Sequence, residues 1–102
     1  SLFYSRFIIL KIKIMIKTEQ LELFIEENKL EFTEGRRNSD LVVLCGYSLF
    51  INADKTETCN SIYKELRTAD LGTELDRVYE YAKKNNYGEF WRLPEAKEKY
   101  KF

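Results

Sequence analysis

Residues 34–52 read EGRRNSDLVVLCGYSLFIN, and the conformation of this stretch decides the fold. From Leu41 to Ile51 only Gly46 and Ser48 are not apolar. Two backbones suit such a run. Val42, Val43 and Ile51 favour two buried strands, Leu41 to Cys45 and Tyr47 to Ile51, hinged at Gly46. Its length, a capping signal at Asn38 or Ser39, and Asp40 near the amino end favour one helix, apolar nearly all round and therefore buried. Pattern alone weighs the two equally. Ahead of the run, Gly35 permits a tight turn, and Arg36 and Arg37 place two positive charges beside it.

Upstream, Leu10, Ile12 and Ile14 alternate with Lys11 and Lys13, the period of a half-buried strand. Residues 1–17 are too short and too charged to span a membrane, and no small-residue cleavage site follows them. An apolar edge of this length is expected to pack on its own domain or on a second copy. Met15 is a candidate start. Thr18 is placed to cap a helix, with Glu19 in its first turn. Leu21, Phe24 and Ile25 mark its buried face, Glu22, Glu26 and Glu27 the opposite one, and it ends near Asn28 or Lys29.

Downstream, Asp54 and Glu57 have capping-box spacing at the head of a helix to Arg67, with Cys59, Ile62, Tyr63 and Leu66 as its apolar stripe. Thr68 to Gly72 reads as a loop and Thr73 as the next cap. Leu75, Val78, Tyr79 and Ala82 then form a stripe, Lys83 and Lys84 complement the helix dipole, and residues 85–88 end the helix. Phe90, Trp91 and Leu93 precede Pro94 and are expected to fold back as a lid. Residues 95–102 are charged, with two aromatics and room for a short helix.

The 102 residues suffice for one domain with one core. Lysine plus arginine (17) equals aspartate plus glutamate (17), which argues against a surface wholly given to nucleic acid and leaves room for a local basic patch. The absence of histidine excludes Ser-His-Asp and Cys-His catalysis within this chain and removes the commonest zinc ligand. Cys45 and Cys59 sit singly on apolar faces, as buried reduced thiols of a cytoplasmic protein do. The acidic residues are scattered, without a nucleophile or metal partner, so no enzyme, cofactor or metal is expected.

Arg36 and Arg37 admit two readings. Beside a helix amino end their guanidinium forks suit a phosphate. The other reading, favoured on the residues alone, pairs them at the surface with acids such as Glu34 and Asp40. Tyr87, Phe90 and Trp91 present the same choice between base stacking and core, with core favoured.

The segment Gly35-Arg36-Arg37-Asn38 resembles the small helical domain of the primase C-terminal families, found in phage, plasmid and mobile-element replication proteins. Those carry Gly-x-Arg-Asn-x-x-Leu-x-x-Leu-Ala. Gly35, Arg37, Asn38, Leu41 and Leu44 match, with Cys45 in the small-residue place. Glu74-Leu75 and the aromatic and glycine segment at Tyr87-Gly88-Glu89-Phe90 extend the likeness, which covers roughly residues 32–91. The resemblance implies a helix from Ser39 to Asn52 and a role in replication priming.

The expected protein is mainly α: a small four-helix domain over residues 18–93, an extended, β-patterned arm over 1–17 and a charged tail over 94–102. The expected function is that of a non-catalytic accessory domain in phage or mobile-element DNA replication. Arg36 and Arg37 contact nucleic-acid or nucleotide phosphate, and Asn38 caps the central helix. The expected partners are single-stranded DNA or a nucleotide, and a primase or helicase, without a membrane. The alternative is a protein-interaction module that forms a homo-oligomer through its arm.

Overall fold

The computed structural model describes residues 17–62 and 69–102. Residues 1–16 of the arm, Tyr63, Leu66 and the expected helix end at Arg67 lie outside them, and Lys17, assigned to the arm, is helical. The described residues are mainly helical and contain no strand. Helix α1 is seen over residues 17–27, followed by α2 (Arg37–Phe50), α3 (Lys55–Ile62), α4 (Ala69–Lys84), a 3-10 helix (Tyr87–Arg92) and α5 (Pro94–Lys99). The helices thus outnumber the four expected, because the aromatic segment and the charged tail each form one.

The central apolar run is one helix. Gly46 is not a hinge; it admits a neighbour. A Cβ at Gly46 would stand 2.8 Å from Trp91 Nε1, so the missing side chain lets the indole lie against α2. Leu41, Leu44, Cys45, Tyr47 and Ser48 are buried. Leu49 is only partly covered and packs against the core from its edge.

Helix α1 runs antiparallel to α2. Lys17 Nζ donates to Asn52 O at one end (2.9 Å), and Asp40 Oδ2 accepts the Phe32 N–H at the other (3.1 Å). Leu21, Phe24 and Ile25 are buried, as their spacing predicts. Thr18 lies within the helix, because Lys17 is already helical, and so is not its cap. The helix ends in a Schellman turn. Lys29 takes φ 53°, its N–H donates to Glu26 O (3.2 Å), and the Leu30 N–H donates to Ile25 O (3.0 Å). Helix α2 ends in the same way, with Asn52 at φ 61° and the Ala53 N–H on Ser48 O (2.8 Å).

Asp54 and Glu57 form the reciprocal capping pair, each backbone N–H donating to the other's carboxylate (3.0 and 2.7 Å). Helix α4 starts earlier than expected and runs through Gly72 and Thr73, so there is no loop at residues 69–72. Leu71 is the reason. It is buried four residues ahead of Leu75 and lengthens the stripe of Leu75, Val78, Tyr79 and Ala82 by a turn. Tyr79 Oη donates to Ala53 O (2.8 Å), and Lys55 Nζ pairs with Asp76 (2.5 Å) and Glu80 (2.7 Å), so α4 holds both the α2–α3 connection and α3.

The lid is an aromatic cluster. Phe24 stacks on Tyr47 at 4.1 Å between centroids, and Trp91 meets both edge-on at 5.3 and 5.4 Å. Leu93, expected in this cluster, is half exposed. Residues 94–102, set apart in the sequence as a tail, pack onto it: Ala96 is buried and Phe102 lies 5.5 Å from Tyr47. The Asn28 amide donates to Lys101 O and accepts from the Lys101 N–H, both at 2.8 Å.

Gly46→Ala should lower stability by about 1–3 kcal/mol, because the added methyl pushes the indole off α2; urea unfolding followed by Trp91 emission reads this. Burial pushes the Cys45 thiol up to about 12, so it stays neutral and inert at pH 8. A thiol reagent should therefore label the partly exposed Cys59 in the native chain and reach Cys45 only on unfolding.

Candidate functional site

The head of α2 is built by the chain that enters it. After the Schellman turn, Phe32 takes φ 55° with its ring fully buried, and Gly35 takes φ 89°, a conformation that glycine adopts without strain. The Arg36 N–H donates to Thr33 O (2.9 Å) and closes the turn. Asp40, only 4% exposed, reaches back from α2. Its Oδ2 accepts the N–H groups of both Glu31 and Phe32 at 3.1 Å, which satisfies two backbone donors in the connection.

The three residues expected to form the phosphate site have three different settings. Arg36 holds the N-cap position, with its side chain 55% exposed. Its guanidinium lies 3.8 Å from Glu31 and 3.9 Å from Asp40. Arg37 points elsewhere: Nη1 lies 3.8 Å from Glu74 of α4, and Nε donates to Phe32 O (3.4 Å). The two guanidinium groups therefore do not form one fork. Asn38 is exposed and already inside α2, because the helix begins at Arg37, so it does not cap the helix. Ser39 Oγ donates to Arg36 O (3.0 Å) from the first turn.

A second feature escaped the sequence reading. Val42, Val43 and Gly46 of α2 face Asn86, Tyr87, Phe90, Trp91 and Tyr100 across an open groove of about 310 Å³. Val42 and Val43 carried a signal, since they fall off the stripe set by Leu41 and Leu44, but a nearly continuous apolar run hides it. Among the described residues, no group of three Asp, Glu, Cys or His side chains could hold a metal ion. No helix among them is long and apolar enough to cross a membrane.

Comparison with protein-family models, curated proteins and solved structures finds no match. The fold and site therefore define a class only: a small helical domain with an arginine at the head of its central helix and an aromatic groove on its flank.

Asp40→Ala should destabilise the fold by about 2–4 kcal/mol, because it strands two backbone donors next to a residue with positive φ. Asp40→Asn, which keeps one carbonyl acceptor, should lose less. Chemical denaturation of the two variants separates them.

Proposed function

We propose that this chain is a non-catalytic accessory domain of a phage or mobile-element DNA replication protein. It acts in the cytoplasm beside a primase or helicase and contacts nucleic-acid or nucleotide phosphate from the head of α2. Arg36 carries this reading. Its side chain is more than half exposed, and its carboxylate partners stand 3.8–3.9 Å away, beyond hydrogen-bonding distance. The Glu31 pair is exposed and contributes little stability, and Asp40 is already bonded to two backbone amides, so the guanidinium is free to turn toward a phosphate at small cost. Arg37 is a positioning residue that ties the turn to α4. The likeness at Gly35, Arg37 and Asn38 supplies the replication context.

A second reading, an oligomerisation module, draws on the alternating Leu10, Ile12 and Ile14. Removal of residues 1–14 would then convert an oligomer to a monomer on a sizing column, and a monomer in both cases removes this reading.

The phosphate reading is tested by titrating labelled single-stranded DNA. One or two phosphate contacts predict about a three- to sevenfold loss of affinity between 50 and 200 mM salt. Arg36→Ala should weaken the binding and remove its salt dependence, and Arg37→Ala should weaken it less while lowering stability. Absence of binding at low salt rejects the proposal.

A further inference from the structure

We infer that the groove between α2 and the 3-10 helix is a subsite for one unpaired nucleobase. The inference deepens the nucleic-acid reading and rests on it. The groove is flanked by flat rings. Tyr87, Phe90 and Tyr100 are half-buried and line one side and one end, while Val42 and Val43 line the other side. A volume of about 310 Å³ suits a small planar ligand rather than a long peptide. Asn86 supplies the one carboxamide among the lining residues, a group that can both donate to and accept from a base edge. It is held in the left-handed conformation, φ 55°, at the end of α4.

The groove itself is uncharged, which suits a neutral base, and cations stand beside it. No carboxylate lines the groove. Lys99 Nζ stands 5.7 Å from the centroid of Tyr100, one of the lining rings. Arg36 lies seven residues before Val43, two helical turns along the same face of α2, about 10 Å away by helix rise. A base stacked in the groove would thus have cations within reach on the α2 side and the Tyr100 side. That combination of stacking rings and flanking positive charge is how sequence-tolerant single-strand binding works.

Trp91 is the sole tryptophan and lines the groove, so its emission reports on occupancy. The probes are adenosine, which carries no phosphate, and a single-stranded oligodeoxyadenylate. Both should shift Trp91 emission saturably. Val43→Phe, which fills the groove from a partly exposed position, should remove both responses. Arg36→Ala should keep the adenosine response and weaken only the oligonucleotide. Asn86→Gly, which keeps the backbone conformation and deletes the amide, should weaken adenosine about tenfold and covers the case in which Val43→Phe fails to fold. If the oligonucleotide binds with salt dependence but leaves Trp91 unchanged, the phosphate reading stands and the base subsite falls. An adenosine response that survives Val43→Phe overturns the subsite, as does a response to N-acetylphenylalaninamide without one to adenosine.

Discussion

The carboxylate of Asp40, buried at the head of α2 and bonded to the N–H groups of Glu31 and Phe32, sets the path of the chain on which the rest is built. The connection between α1 and α2 must reverse direction within a few residues. It does so by placing Lys29, Phe32 and Gly35 at positive φ. For Lys29 and Phe32 that conformation is unfavourable by about 1 kcal/mol or more each. Two things offset it. The Phe32 ring is fully buried, and the carboxylate takes two amides that would otherwise lie unpaired beside the core. Once the reversal is fixed, α1 must lie antiparallel to α2, with Leu21, Phe24 and Ile25 on its flank.

Helix α2 is then covered from several directions at once. Helix α1 meets Tyr47 through Phe24, the 3-10 helix brings Trp91 against Gly46, and Phe102 closes on Tyr47 from the carboxyl end. Each contact uses an aromatic plane where an aliphatic stripe would have sufficed. Rings meeting edge-on or stacked at about 4–6 Å fix orientation more narrowly than methyl groups do. The same cluster explains why residues 94–102, mostly charged, are not loose: two aromatics and the Asn28–Lys101 pairing hold their end in place.

The parts of the fold legible in the sequence were those set by local chemistry. The apolar spacing of Leu21, Phe24 and Ile25, the Asp54–Glu57 capping pair and the helix end at residues 85–88 depend on neighbours within a turn or two. The parts that were not legible depend on distant residues. The pattern of Leu41 to Ile51 suits helix and strand alike, and the expected helix, which the structure shows, rested on the likeness; that Trp91, forty-five positions beyond Gly46, packs against it is not contained in the local pattern. Nothing near Lys29 or Phe32 advertises positive φ, because neither residue favours it. At the site, a cap was expected from residue type at Asn38, but Asp40 holds the incoming chain so that Arg36 takes that position. The divergence of Arg37 toward Glu74 reflects α4 packing, which no feature of residues 34–38 foretells.

The charge balance gives the arginines their meaning. With equal numbers of acids and bases, the chain as a whole exerts little net pull on an anion, so the proposed affinity would come from particular cations whose partners can be exchanged. Lys55 is not one of them. It sits 2.5 and 2.7 Å from two carboxylates that bridge α3 to α4, and those acids hold its ammonium protonated above the usual lysine range. Arg36 is the opposite case, with two partners just under 4 Å and more than half its side chain in water. One of those partners, Asp40, is already engaged by two backbone amides and does not need the guanidinium to remain satisfied. On the proposed reading, an anion at Arg36 would replace weak attractions and leave the Asp40 bonds to Glu31 and Phe32 in place, so the proposed contact and the structural role of Asp40 rest on different atoms.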